Sequence, residues 1–285
     1  MGVFSVMKIF AVAAMLCSAV LLNAGEWKDV SYYEKDAPLH GDAEERDRMC
    51  VLDLRTPEGQ KGFKTLVYFH GGGLTGGRKT FPAQLNYERL AVATVSYRLA
   101  NKKVKAIDCL HDAAAAVAWV LKNIEKYGGD PGKVYVSGHS AGGYLSAMIA
   151  LDKKYLAEFG VEPTRLAGVF PISGQMTTHF RILKERLADD PNARQFAVDE
   201  YAPLYHASEA KIPDLVLYCG DPAVEWPARV EENLLLAARL TRVYKHENVK
   251  VISIPGCNHG GCLPPSLAII NRQLTAVPKA AAKKK

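Results

Sequence analysis

The chain has 285 residues, of which 48% are hydrophobic and 23% are charged, and its formal net charge is +6. Five of its lysines lie in two terminal segments, so the body of the chain carries only about +1, which gives no indication of a nucleic-acid partner. A chain of this length can bury one large core, and a single α/β domain is the simplest expectation.

The first residues have the pattern of a secretory signal peptide. Lys8 precedes an apolar run over residues 9–22, and Ala24 supplies a small residue for cleavage. The run is shorter than the roughly 20 residues of a membrane span, so we expect residues 1–24 to be removed without stable membrane insertion. The expected location is secreted or periplasmic. Residues 277–285 are rich in Ala and Lys, which is typical of a disordered, solvated terminus.

Between these ends, short apolar runs alternate with helical patterns. Strands are predicted over residues 49–56, 64–70, 92–97, 133–138, 166–172, 213–219 and 249–254. Helices are predicted over residues 108–127, 140–151 and 227–246. The first two strands are joined by a turn at Pro57-Glu58-Gly59. This alternation predicts a mostly parallel sheet covered by helices in one domain, 25–276, and the weaker pattern over 175–212 predicts a small cap.

A serine motif, Gly138-His139-Ser140-Ala141-Gly142, lies where a predicted strand meets a predicted helix. A serine on so sharp a turn has a strained backbone, and the flanking glycines allow close backbone approach. We therefore predict Ser140 as a nucleophile raised above the sheet. The N–H of Ala141, at the helix N-terminus, would stabilise a developing oxyanion. A glycine-rich turn without chemistry is the alternative.

A second glycine-rich loop, His70-Gly71-Gly72-Gly73, follows the strand over 64–70. Because the loop has few side chains, its amides can approach a substrate oxygen closely. We predict Gly72 and Gly73 as oxyanion-hole donors beside Ala141.

His259 lies in a glycine-rich loop, residues 256–261, directly after the last predicted strand. In the chain order Ser, acid, His, the general base belongs at this place, and the other seven histidines fit it less well. The acid should follow the strand over 213–219. Asp221 is the preferred candidate, and Glu225 is the alternative if its loop folds back. An Asp-Pro step is also an ordinary turn signal, so the choice stays open here.

Cys257 and Cys262 flank His259 at a spacing that could close a small loop. A disulfide that stiffens the histidine loop is one hypothesis, and two buried free cysteines are the alternative. The sequence contains no Cys-x-x-Cys or His-x-x-x-His spacing, and we predict neither a metal site nor a cofactor.

Taken together, these segments resemble the hormone-sensitive-lipase-like branch of the α/β-hydrolases, including small secreted acetyl xylan and feruloyl esterases. The matching stretches are residues 67–73, 96–99, 129–131, 136–143 and 258–260. The resemblance implies an α/β-hydrolase fold, no cofactor, and attack of Ser140 on an ester through an acyl-enzyme. It also implies a small ester or an acylated carbohydrate as substrate.

Two other functions fit the same residues. An amidase such as an arylformamidase would keep the fold and change the bond that is cleaved. A binding protein on a hydrolase scaffold is suggested by the acid loop, where the Gly-x-x-Asp spacing of relatives places Ala223 at the acid position. Four aromatic residues could line a pocket in either case: Phe180, Tyr201, Tyr205 and Trp226.

Overall fold

A computed structural model describes residues 25–190 and 197–276. The predicted signal peptide, 1–24, and the predicted tail, 277–285, lie outside the described residues. The strands are β1 (Glu26–Ser31), β2 (Val51–Arg55), β3 (Phe63–Phe69), β4 (Leu90–Val95), β5 (Gly129–His139), β6 (Gly168–Ile172), β7 (Leu215–Cys219) and β8 (Val249–Ser253). The α-helices are α1 (Ala43–Met49), α2 (Asp108–Asn123), α3 (Ala141–Leu151), α4 (Lys153–Ala157), α5 (Phe180–Asp189), α6 (Arg229–Ala238) and α7 (Leu263–Thr275).

The eight strands form one sheet in the order β1-β2-β4-β3-β5-β6-β7-β8. Strand β2 is antiparallel to both of its neighbours, and every pairing from β4 to β8 is parallel. The turn at 57–59 does not make β2 and β3 neighbours, because β4 lies between them. All six residues of β4 are buried, which suits a strand with a partner on each side.

Helices cover both faces of the sheet, as the alternating pattern predicts. On one face, α2, α3 and α6 bury apolar side chains against the sheet, among them Val117, Leu145 and Leu236. On the other face, Leu267 and Ile270 of α7 lie in a second apolar cluster. Because strands β3 to β8 are parallel, their carboxyl ends lie at one edge of the sheet, and ligand sites of such sheets form at that edge.

The predicted cap segment, 175–212, contains α5 and a 3-10 turn (Pro203–His206) in its described part. Thr178 Oγ1 donates a hydrogen bond to Asp199 Oδ1 at 2.8 Å, and Tyr144 of α3 donates to the backbone oxygen of Tyr201 at 2.7 Å. The segment is thus tied to the helix that begins after Ser140. Across the described ranges, no helix has both the length and the apolar character needed to cross a bilayer.

A fully buried ion pair fixes the chain that leaves β4. Arg98 and Asp112 of α2 both have 0% side-chain exposure, and their closest atoms, Nη2 and Oδ1, are 2.7 Å apart. Asp112 also accepts hydrogen bonds from the Arg98 backbone N–H and the Tyr33 hydroxyl, at 2.9 and 2.8 Å. Because a lone buried charge costs about 3–5 kcal/mol, the pair holds this loop and α2 together.

Candidate active site

Ser140 occupies the turn between β5 and α3 with φ of 56° and ψ of −114°. This left-handed backbone is strained for a residue with a side chain. The Ser140 N–H donates to the oxygen of Ile172 in β6 at 2.8 Å. A Cβ added at Gly138 would lie 2.5 Å from the carbonyl carbon of Gly142, and one at Gly142 would lie 2.2 Å from the oxygen of Phe69. Both flanking glycines are therefore required by the turn.

The His-Gly-Gly-Gly loop lies against this serine. A Cβ added at Gly71 would lie 3.4 Å from the Ser140 Cβ. Gly72 and Gly73 have φ of 114° and 64°, values that favour glycine. Within the described chain, the N–H groups of Gly72, Gly73 and Ala141 donate to no protein acceptor. These three donors are therefore free for a substrate oxygen.

His259 lies beside the serine turn with its two ring nitrogens in different surroundings. Nδ1 is 2.8 Å from Oε1 of Glu225, and Nε2 is buried without a partner among the described residues. His139, the residue before Ser140, donates from Nε2 to the backbone oxygen of His259 at 2.8 Å. The Trp226 ring stacks on the His259 ring at 3.7 Å. Nδ1 is thus held by the carboxylate, whereas Nε2 forms no hydrogen bond with a described residue, Ser140 included.

The expected contact between Asp221 and His259 is not formed. Asp221 instead accepts hydrogen bonds from the N–H groups of Ala223 and Gly256, at 2.9 and 2.7 Å, so its carboxylate closes two loops. The Glu225 N–H donates to the Asp221 backbone oxygen at 2.8 Å, which completes a helical turn. This turn carries Glu225 back to the strand end, so the structure brings the alternative acid to the histidine.

The Glu225 carboxylate is almost fully buried and fully hydrogen-bonded. Its side chain is 1% exposed, and Oε2 accepts from Ser173 Oγ at 2.6 Å and from the Gly220 N–H at 3.0 Å. Burial raises the pKa of Glu225, but hydrogen bonds from His259, Ser173 and two backbone N–H groups outweigh it and hold the pKa at about 2. The carboxylate is therefore ionised and keeps a proton on Nδ1 of His259.

Ser173 is a site residue that sequence reasoning missed. It follows β6, is fully buried, and has a strained φ of 46°. No motif distinguishes it from an ordinary serine after a strand. Only the folded sheet, in which β6 neighbours β7, brings its hydroxyl to Glu225.

The five described cysteines are free, so the hypothesis of a disulfide between Cys257 and Cys262 is wrong for this structure. The Cys262 thiol is buried, 3.2 Å from the backbone oxygen of His259 and 3.1 Å from Ser173 Oγ. The Cys262 thiol thus packs against the histidine loop and Ser173, whereas the Cys257 side chain is partly exposed. The alternative of free cysteines agrees with the structure, although only Cys262 of the two is buried.

Two of the four aromatic residues considered from the sequence lie at the site. Trp226 is half exposed, and its ring covers the His259 ring. Phe180 is 46% exposed and lies near the His-Gly-Gly-Gly loop, residues 70–73, which is called the oxyanion loop below. A Cβ added at Gly73 would lie 3.0 Å from Cζ of Phe180. Tyr201 lies instead beneath Lys154 and Arg186, and Tyr205 lines a separate cavity.

One group in the described part of the chain has side chains of the types that bind metals: His40, His111 and Glu158. Both imidazoles point a nitrogen at Oε2 of Glu158, at 3.0 and 2.8 Å. Their rings stack face to face, 3.5 Å apart and 14° from parallel. Parallel rings do not direct their lone pairs at one ion, so the group fits a shared hydrogen bond better than a tetrahedral metal site.

The sheet order and the placement of these residues define a class of protein. A strained serine follows β5, a carboxylate loop follows β7, and a histidine loop follows β8. This is the α/β-hydrolase arrangement, in which a serine at a strand-to-helix turn precedes the acid and the histidine in the chain.

Comparison with known proteins places the chain more narrowly. Residues 52–174 match the BD-FAE family model. Liver carboxylesterase B-1 of Rattus norvegicus is 34% identical over 137 residues, which cover 44% of this chain and 24% of that protein. The probable isoprenylcysteine alpha-carbonyl methylesterase ICMEL1 of Arabidopsis thaliana is 33% identical over 279 residues, covering 86% and 56%. The chain thus matches between a quarter and about half of the length of these relatives.

A solved structure, a truncated carbohydrate esterase from gut microbiota, has the same fold. Its TM-score is 0.66 at 18% identity, and the match covers 90% of this chain and 97% of that one. The chain has the α/β-hydrolase fold, and these matches confirm the predicted resemblance to hormone-sensitive-lipase-like esterases.

Proposed function

We propose that the protein is a serine carboxylesterase that hydrolyses small acyl esters through an acyl-enzyme on Ser140. The observation that carries the proposal is the state of His259. Glu225 holds Nδ1, and Nε2 is left without a partner in the described chain, beside the serine turn. A histidine held in this way is prepared to accept the proton of a hydroxyl group.

The proposed reaction has two halves. Ser140 Oγ attacks the ester carbonyl carbon as its proton passes to Nε2 of His259, and ionised Glu225 stabilises the imidazolium. The N–H groups of Gly72, Gly73 and Ala141 hold the carbonyl oxygen as it becomes negative, a contribution of several kcal/mol in a dry site. The bond to the alcohol oxygen then breaks, and His259 returns the proton to the leaving alcohol. Water, activated by the same histidine, releases the acid from Ser140.

Acyl groups on plant polysaccharide, such as acetyl or feruloyl, are the substrates that we propose. The BD-FAE match and the likeness to a carbohydrate esterase support this choice. The exposed rings of Trp226 and Phe180 provide flat apolar surfaces beside the site, to which a sugar or a feruloyl ring can pack. A secreted or periplasmic location, proposed from residues 1–24, would bring the enzyme to such substrates.

The structure bears differently on the two alternative functions, a binding protein and an amidase. The binding-protein alternative rested on a missing acid, and Glu225 now occupies the position against His259. An amidase would use the same residues, so only substrate comparison separates it from an esterase.

Two measurements test the proposal. A fluorophosphonate probe should label the wild-type protein but not Ser140→Ala, whereas Ser208→Ala, a variant outside the site, should be labelled normally. Short p-nitrophenyl esters, acetylated xylan, a feruloyl ester and an N-formyl aromatic amine should then be compared. Turnover of the esters is expected. A folded wild-type protein that is neither labelled nor active would refute the proposal, and preference for the formamide would favour the amidase.

A further inference from the structure

Arg229 is a buried arginine, and two of its three guanidinium nitrogens have no hydrogen-bond acceptor among the described residues. It is the first residue of α6 and is 7% exposed. Its Nε and Nη1 atoms are buried and have no hydrogen-bond partner among the described residues. A guanidinium carries five N–H donors and stays charged, so its burial without acceptors is costly. Such a group is expected to have an acceptor that comes from outside the chain.

The nearest carboxylate does not fill this need. Glu232 Oε2 is 3.8 Å from Nη1 of Arg229, which is too long for a hydrogen bond. Glu232 already accepts hydrogen bonds from the Met176 N–H at 2.7 Å and from Thr177 Oγ1 at 3.2 Å. Its carboxylate therefore anchors the start of the cap segment, and it offsets part of the Arg229 charge without accepting a hydrogen bond from Nε or Nη1.

Arg229 belongs to the surroundings of the serine turn. Asn233, one helical turn later, donates from Nδ2 to the oxygens of Gly174 and Arg229, at 2.9 and 2.8 Å. Gly174 in turn lies against α3, because a Cβ there would be 2.7 Å from the carbonyl carbon of Gly143. The start of α6 is thus connected through Gly174 to the first turn of the helix that follows Ser140.

Electrostatics agree with this location. Burial, followed by the charge of Arg229, lowers the pKa of His179 to about 3. Burial is the main cause that lowers the pKa of His139 beside Ser140, and the charge of Arg229 adds a smaller effect than the neighbouring His259 and Glu225 do. The guanidinium therefore acts on both the cap segment and the serine turn.

The neighbours of Arg229 also offer groups to a polar substrate. His179 Nδ1 accepts the Arg181 N–H at 3.1 Å, so the proton of this neutral ring lies on Nε2, which is a donor. The His179 ring stacks on Phe180 at 4.4 Å, and Phe180 borders the oxyanion loop at Gly73. Asn233 Oδ1, also buried, has no partner among the described residues.

We propose that Arg229 is a substrate-binding residue and that the preferred substrates are esters that carry a carboxylate. The inference rests on the proposed esterase function and extends it to the substrate class. A carboxylate would accept the unused N–H donors of the guanidinium in a charge-assisted pair, which Glu232 at 3.8 Å does not provide. The carboxylate could belong to the acyl group, as in a dicarboxylic acid monoester, or to the alcohol, as in an acetylated uronic acid.

The test compares esters that differ only in this charge. The first arm measures kcat/KM for 4-nitrophenyl hemisuccinate against 4-nitrophenyl butyrate, and the second compares acetylated glucuronate with acetylated glucose. In one of the two arms, the wild-type protein should prefer the anionic ester at least about tenfold. Arg229→Met should reduce that preference roughly ten- to a hundredfold, mainly through KM, because a charge-assisted hydrogen bond is lost. Arg229→Lys should keep part of it.

Arg242→Met is the matched control, because it removes a positive charge from an exposed arginine after α6 and should leave the preference unchanged. If the wild-type protein hydrolyses neutral esters but shows no anionic preference in either arm, the inference is wrong and the esterase proposal stands. If Arg229→Met does not fold, inhibition of the wild-type protein by succinamate and by glucuronate decides, and inhibition no stronger than by butyramide and by glucose also overturns the inference. Absence of all turnover and of probe labelling would instead refute the esterase proposal.

Discussion

Oε1 of Glu225 lies 2.8 Å from Nδ1 of His259, although 34 positions separate the two residues in the chain. A short helical turn begins at Asp221 and returns Glu225 to the end of β7. The acid therefore reaches the histidine from a longer loop than the spacing in relatives suggests. Its second oxygen is held by Ser173 and Gly220, so the carboxylate is fixed on both sides.

We expect Glu225→Gln to lower kcat by roughly 10²–10⁴-fold, because the amide cannot stabilise the His259 imidazolium that forms in the reaction. Asp221→Asn is the matched control and should lower kcat by less than about tenfold, since that carboxylate only closes loops. Steady-state hydrolysis of a p-nitrophenyl ester measures both variants. A larger loss in Asp221→Asn than in Glu225→Gln would reverse the assignment of the acid.

Glu225 should also make the stability of the fold sensitive to acid. Its pKa in the folded state is about 2, below the ordinary value of 4.5, so its stabilising contribution is complete above pH 4.5 and is lost as the pH falls toward 2. Between these values, the free energy of unfolding of the wild-type protein should fall by about 2–3 kcal/mol more than that of Glu225→Gln. Urea unfolding at several pH values measures the difference, and parallel curves would contradict it.

The sequence was sufficient to predict the centre of the fold and part of the site. Strands β6 and β7 have no charged residue and are almost wholly apolar, and β4 is apolar except for Thr94, so their burial between helices follows from composition. The serine turn was predictable because strand, glycines and helix are consecutive in the chain. The acid was not, because the choice between Asp221 and Glu225 depends on how a short loop closes in space.

Ser173 should act as a positioning residue for Glu225. Ser173→Ala removes the 2.6 Å hydrogen bond to Oε2, and we expect kcat/KM to fall roughly tenfold through kcat, with the acidic limb of the pH profile shifted upward. The shift follows because this hydrogen bond helps to lower the Glu225 pKa. Ser266→Ala is the control, since it removes a buried hydroxyl that has no partner among the described residues. An unshifted pH profile in Ser173→Ala would indicate a purely structural role.

Thiol counting should distinguish the free cysteines from the disulfide hypothesis. The denatured, unreduced protein should expose five reactive thiols from the described residues, namely Cys50, Cys109, Cys219, Cys257 and Cys262. A Cys257→Ser variant should lose one thiol. Loss of two accessible thiols from the wild-type count, restored by reductant, would instead support a bridge.

The tight packing of the serine turn gives a stability prediction. Gly142→Ala should destabilise the fold by more than about 2 kcal/mol, because its Cβ would lie 2.2 Å from the Phe69 oxygen and backbone atoms cannot move aside easily. Gly260→Ala, where an added Cβ meets no atom within 4 Å, should have little effect on stability. Chemical denaturation of both variants makes the comparison, and similar losses would show that backbone crowding is not the cause.

Several elements were missed for identifiable physical reasons. Strand β1 is largely exposed and lacks alternating apolar residues, so only its pairing with β2 reveals it. Helix α7 did carry a signal, since Leu267, Ile270 and Leu274 are spaced as one helical face. The neighbours of β2 and β3 depend on β4, a strand that comes later in the chain, and local turn signals cannot encode such a pairing.

The buried pair of Arg98 and Asp112 limits how this chain can diverge during evolution. Replacing either residue alone leaves the other charged in a dry interior, so a lineage that changes one must pass through a weakened intermediate. Both positions should therefore change together or remain fixed among descendants. Exposed loops at the carboxyl ends of the strands are not constrained by a buried ion pair of this kind. Substrate preference can therefore vary through these loops while the scaffold stays the same.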